Sequence, residues 1–211
     1  MLKIKPFLPI AVLIVCILGF GWTALNIRGD QIRDFDRIIT ASVQGWETPS
    51  LTIVMKLFTT IGGGLPLILL MITVMVILHT FLGHRKELIF LAVVMLGSTL
   101  INWGLKTLFH RVRPDIHRLI EVAGYSFPSG HSMAAFSFYG ALAYLIWSHI
   151  PSLLGRSSVI ILSSLFIFAI GTSRIYLGVH YPSDVIGGYF VSGCWLILTI
   201  MLYDKYMGRR A

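Results

Sequence analysis

The chain has 211 residues, of which 56% are hydrophobic and only 12% charged. Soluble domains carry about 25% charged residues, so this composition excludes a soluble globular protein and points to a polytopic membrane protein. The formal charge of +8 comes from basic residues scattered between apolar runs. That scatter excludes the clustered basic face of a nucleic-acid binder, and it fits membrane-surface anchoring and an anionic substrate.

Six apolar stretches come near the ~20 residues needed to cross a bilayer. They predict an all-α fold, a bundle of six transmembrane helices forming a single domain over residues 1–211. The first stretch, Phe7 to Leu25, follows a basic start with Lys3 and Lys5. It is long and lacks a small-x-small cleavage site, so it reads as an uncleaved span. Cys16 and Cys194 lie inside apolar runs, which predicts free buried thiols and no disulfide framework. Residues 26–50 mix Asp30, Asp34 and Asp36 with Arg28, Arg33 and Arg37, the pattern of a surface loop with a short amphipathic helix.

The second span, from about Leu51 to Leu82, is interrupted by Thr59-Thr-Ile-Gly-Gly-Gly-Leu-Pro66, so its first part can form a separate interfacial turn. Gly62-Gly-Gly64 reads as a flexible break that would also admit a lipid head group. The third span runs from about Leu88 to Phe109. A charged connection, His110 to Phe127, leads to the fourth, from about Ser129 to Trp147. The fifth covers about Ser157 to Ser173 and the sixth about Asp184 to Tyr203.

Six spans put both termini on one side. That side carries Lys3, Lys5, Arg85, Lys86, Arg156, Lys205, Arg209 and Arg210, and the other carries Arg28, Arg33, Arg37, Lys106, Arg111, Arg113, Arg118 and Arg174. The two counts are equal. Setting aside Lys106, Arg113 and Arg174, which the chemistry below accounts for, favours cytoplasmic termini in the cell membrane.

Three clusters then share the opposite, outer face. Lys106 and Arg113 are seven residues apart, so a helix would put both on one side, and Pro114 turns the chain away. Pro128-Ser-Gly-His131 stands at the start of the fourth span. Proline suits a first helical turn, serine a cap, and the free N–H groups there make an anion site. Ser173-Arg174 precedes His180-Tyr-Pro-Ser-Asp184. Two arginines and a lysine can hold a phosphoryl group. One helical turn would bring Asp184 to the His180 imidazole, fixing its tautomer and leaving Nε2 as a nucleophile, while His131 serves as general acid. Each cluster alone has a plain structural reading as a cap, snorkelling anchors or a structural hydrogen bond. Their joint occurrence favours a site.

Together, Lys106-x6-Arg113-Pro114, Pro128-Ser-Gly-His131 and Ser173-Arg174-x5-His180-x3-Asp184 resemble the three-part signature of the type 2 phosphatidic acid phosphatase superfamily. The resemblance spans roughly residues 50–203, and the chain's small size is similar to that of the superfamily's bacterial lipid phosphatases. It implies His180 as nucleophile through a phosphohistidine, His131 as acid and Asp184 as the partner of His180. It implies Lys106, Arg113, Ser129, Gly130 and Arg174 around the phosphate, no metal or other cofactor, and a site on the outer face. The expected partner is a lipid phosphate in the bilayer: phosphatidylglycerophosphate, phosphatidate or undecaprenyl pyrophosphate. The alternatives are zinc on His131, His180 and Asp184, a lipid transporter with a cationic pocket, and a serine protease using Ser129 or Ser132. Oligomeric state is not indicated.

Overall fold

The computed structural model describes residues 7–80, 85–147 and 149–207. All regular structure among these residues is helical: α1 (Phe7–Asn26), α2 (Asp30–Gln44), α3 (Pro49–Ile61), α4 (Gly64–Thr80), α5 (Arg85–Phe109), α6 (Gly130–Trp147), α7 (Leu153–Tyr176) and α8 (Pro182–Met207). The loop expected over residues 26–50 holds a full helix, α2, whose exposed Asp30, Arg33, Asp34 and Arg37 form i,i+3 pairs while Ile32 and Asp36 are buried. Exposed pairs of this kind contribute little stability. The buried Asp36 is the unusual residue, and its partners lie in the site described below.

Pro49 opens α3 behind Thr48, whose hydroxyl accepts from the Leu51 amide. The helix stops at Gly62, and after the glycine break the chain resumes as α4, with the two axes bent by 54°. The expected interfacial turn is therefore a 13-residue helix set at an angle to the span that follows. The expected end of that span, at residues 81–82, lies outside the described residues.

Four helices, α1, α5, α7 and α8, are long and apolar enough to cross a membrane, and the bent pair α3–α4 makes a fifth span if counted as one. α6, where another span is expected, has 18 residues but carries His131, Ser132, Ser137, Tyr139 and Tyr144. Its position accounts for this composition. α6 packs against α5, α7 and α8, and Met133, Ala135, Phe138, Ala141 and Leu145 are buried on it. A helix surrounded by protein does not need a lipid-compatible surface. The peripheral helices do: Val15 and Leu18 on α1 and Leu162 and Phe168 on α7 are exposed, forming apolar surface suited to contact with lipid. Trp195 of α8 fits against Gly97 of α5 and donates its indole N–H to the Val94 carbonyl at 3.0 Å, which satisfies its one polar group in the core. Cys16 and Cys194 are free and partly buried, without a disulfide.

The connection 110–127 is strapped across one end of the bundle. The Leu119 amide donates to the Leu177 carbonyl at 3.0 Å, and Gln44 of α2 donates to the carbonyls of His117 and Tyr176. The strap lies directly on Gly178, which has φ +70°, and a Cβ there would sit 1.8 Å from the His117 carbonyl oxygen. Gly178→Ala meets both a left-handed backbone and a backbone collision. We expect it to lower the melting temperature of the detergent-purified protein by ~5 °C or more, measured by intrinsic fluorescence.

Candidate active site

The strap and the ends of α5, α7 and α8 bring the three sequence clusters to one place. His180 lies in the short turn between α7 and α8, held by its amide donating to the Arg174 carbonyl at 3.3 Å. It precedes α8, so the His180–Asp184 pair is not one turn of helix. Asp184 instead caps α8, its Oδ2 accepting the Tyr181 amide at 2.8 Å. The same oxygen meets His180 Nδ1 at a long 3.4 Å and the Ser126 hydroxyl, and Oδ1 takes Arg111 Nη1 at 2.7 Å. Both His180 and Asp184 are buried.

Arg113 departs from expectation. α5 ends at Phe109, and His110 takes a left-handed φ of 48°, so Lys106 and Arg113 do not share a helical face. The strap returns Arg113 to the site by another route. Its guanidinium donates to the carbonyls of Gly124, Val179 and Ala123, and Nη1 reaches His180 Nε2 at 3.0 Å. Guanidinium can only donate, so Nε2 accepts and Nδ1 carries the proton toward Asp184. Burial holds the His180 imidazole neutral, its pKa well below the ordinary value. Asp184 opposes this, and the cations Arg174 and Arg113 add to it. The imidazole therefore has its Nε2 lone pair facing the cations and its N–H tied to a carboxylate.

Arg174, at the end of α7, is buried, and Nη1 meets the Thr59 hydroxyl of α3. Its Nε and Nη2 are buried with no partner. Unpaired buried guanidinium donors are costly, and an anion with several acceptor oxygens would satisfy them. Lys106 donates to the Tyr125 carbonyl at the edge of the site. The positive charges of Arg174, Arg113 and Lys106 act on His131, in the first turn of α6.

Ser129 is the α6 cap, its hydroxyl accepting from the Ser132 amide at 3.4 Å and its own amide donating to the Asp184 carbonyl at 3.0 Å. Pro128 lies one residue before this cap, outside the first turn where it was expected. Gly130 faces Asn102, which donates to the Pro128 carbonyl at 3.0 Å and secures the turn from α5. The glycine break also borders the site. Gly63 is buried, and the His131 ring occupies the space of its missing side chain, with Nε2 2.5 Å from where a Cβ would be. The break between α3 and α4 thus forms the wall behind His131.

Among the described residues no three His, Cys, Asp or Glu side chains are grouped to hold a metal ion, so the zinc arrangement of His131, His180 and Asp184 is not formed. The loop residues His117 and Arg118 face Glu47 and Glu121, and the rings of His110 and Tyr125 meet edge to face.

Sequence reasoning missed Arg111, Ser126, Asp36, Asn102 and Thr59. Arg111 had a visible signal, an arginine two places before Arg113. The others are isolated polar residues in helices or loops, and only folding brings them to the site.

Comparison with known proteins finds relatives along nearly the whole chain. The model of the PAP2 superfamily matches residues 87–207. Phosphatidylglycerophosphatase B of Bacillus subtilis is 32% identical over 198 residues, which covers 91% of this chain and 94% of that protein. The crystal structure of a transmembrane PAP2-type phosphatidylglycerolphosphate phosphatase from Bacillus subtilis superposes with a TM-score of 0.80 at 31% identity, covering 94% of this chain and 98% of that one. That of Aquifex aeolicus LpxE gives 0.60 at 28% identity, covering 80% and 93%.

The unpaired donors of Arg174 lead to a direct expectation. Inorganic phosphate should raise the melting temperature of the wild-type protein in a concentration-dependent manner. The shift should vanish in Arg174→Met, as read by thermal unfolding across a phosphate titration.

Proposed function

This chain belongs to the PAP2 superfamily and is a metal-independent lipid phosphatase of the membrane, and from that premise we propose that it acts through a phosphohistidine on His180. The observation that carries this reading is the pairing of a neutral imidazole, tied at Nδ1 to Asp184, with buried Arg174 donors that lack a partner. The lipid diffuses in the outer leaflet and brings its phosphate among Lys106, Arg113 and Arg174, beside Ser129 and Gly130 at the start of α6. Arg113 leaves His180 Nε2 and bonds a phosphate oxygen, freeing the lone pair. Nε2 then attacks phosphorus in line as the P–O bond to the lipid breaks. The negative charge of the bound phosphate lets His131 take up a proton from water, and His131 gives it to the departing lipid oxygen as the lipid alcohol leaves. His131, now neutral, takes a proton from water, which attacks phosphorus and breaks the P–N bond. Phosphate departs and His180 is restored. Cations aimed at the equatorial oxygens do most of the work, as expected where electrostatics dominate phosphoryl transfer.

The substrate is a lipid phosphate monoester or pyrophosphate. Phosphatidylglycerophosphate is the first choice, supported by likeness to phosphatidylglycerophosphatase B along nearly all of both chains. In the membrane we read six spans, counting α3–α4 as one and adding α6, with both termini cytoplasmic and the site outside. A transporter would use the cationic pocket but would leave the histidine pair without a task.

His180→Ala should abolish phosphate release and the phosphoenzyme together, seen by acid-quench labelling. Wild-type activity should persist in excess chelator, and a loss restored by zinc would contradict the mechanism. Assayed side by side in detergent, phosphatidylglycerophosphate should give the highest kcat/KM, ahead of phosphatidate and undecaprenyl pyrophosphate. The reverse order would reassign the substrate.

A further inference from the structure

We propose that Asp36 and Arg111 are positioning residues for phosphoryl transfer, holding the Asp184 carboxylate so that Oδ2 faces His180. The inference rests on the reading of His180 as nucleophile and Asp184 as its partner. It adds a residue of α2, outside the segment 87–207 matched by the superfamily model.

The geometry is a buried chain of charges. Arg111 Nη1 donates to Asp184 Oδ1 at 2.7 Å, and Nη2 donates to Asp36 Oδ2 at 2.7 Å. Ser183 locks the far end: its amide donates to Asp36 Oδ1 at 2.8 Å, its hydroxyl donates to Oδ2 at 2.7 Å, and Arg111 Nη1 reaches the same hydroxyl at 2.7 Å. The Tyr181 ring closes one face of the guanidinium, 4.3 Å from its carbon. Asp36 and Asp184 are 2% and 0% exposed, so water does not substitute for these bonds.

Two consequences reach His180. The first is orientation. A carboxylate can present either oxygen, and Arg111 removes the ambiguity by occupying Oδ1. Oδ2 is then left for His180 Nδ1, the Tyr181 amide and Ser126. The second is charge. One guanidinium between two carboxylates leaves a net negative charge behind the imidazole, and this favours the cationic ring formed when Nε2 takes the phosphoryl group. Arg113, Arg174 and His131 press on the ring from the other elements, so the charge behind it matters most in the transition state. The hydrogen bonds and ion pairs of Asp36 and Arg111 go to Asp184, Ser183 and each other, and Lys106, Arg113 and Arg174 are left to hold the substrate.

The test is a double-mutant cycle on phosphate release from the lipid substrate. Asp36→Asn keeps the shape, removes the charge and turns a donor toward Arg111. It should lower kcat about 10- to 100-fold, the usual effect of losing an orienting partner, with KM little changed. In an Asp184→Asn background the same substitution should cost less than about 3-fold, because residues acting as a unit are not additive. Equal losses in both backgrounds, or a change confined to KM or melting temperature, would overturn the proposal. If Asp36→Asn does not accumulate as folded protein, Arg111→Lys is read in the same cycle, since lysine keeps the charge but lacks the planar fork that fixes one nitrogen on each carboxylate. Full activity of Asp184→Asn alone would instead remove the assignment of Asp184, and this proposal with it.

Discussion

A fully buried carboxylate sets the terms for the whole site. Asp184 has no exposure, and an ionised carboxylate in such a place is tolerated only when its oxygens are filled by donors. Here four donors come from three places: Arg111 and Ser126 from the strap, the Tyr181 amide from its own cap, and His180 from the preceding turn. Each requirement pulls in a further element. Arg111 is itself buried and needs Asp36, so α2 must dock. Ser126 and Arg111 must arrive together, so the strap closes on itself through the Ser126 amide and the Arg111 carbonyl. Satisfying one negative charge thus organises a loop, α2 and α8.

The cations on the other side of His180 follow the opposite logic. Arg113 is heavily bonded to backbone carbonyls, which fixes its position, and among the described residues it forms no direct ion pair with a carboxylate. Arg174 is held at one nitrogen only, with two donors unpaired. The site is saturated behind the imidazole and unsaturated in front of it. That asymmetry favours binding of an anion at a defined point and gives the imidazole a direction. Helix packing supports it: α6 sits at the centre so that His131 can face this point, and the bend at Gly62–Gly64 gives its ring room.

The apolar periods of the chain were a sound guide to the helices. Predicted ends at Leu25, Phe109 and Trp147 fall at or within one residue of the observed ones. The pattern was less informative for α6, because a central helix trades lipophilicity for packing, and for residues 26–50, where a buried Asp36 looks like any surface acid. The signature residues were legible because their chemistry is rare in apolar surroundings. Their geometry was less so. Helical spacing was assumed for Lys106 with Arg113 and for His180 with Asp184, and both pairs proved to be joined through a break in the helix, at His110 and at the turn before Pro182.

The residue types alone determined that this is an apolar helical chain whose cations and histidines need polar partners. Charged groups are too costly in a bilayer-facing protein to be placed there without a partner. Only the tertiary structure decided which partner each one has. It set Asp36 against Arg111, gave Oδ1 of Asp184 to Arg111 and Oδ2 to His180, and left two donors of Arg174 unfilled. Those pairings join residues far apart in the chain through hydrogen bonds that depend on ångström distances and on exclusion of water, and neither is encoded in local spacing.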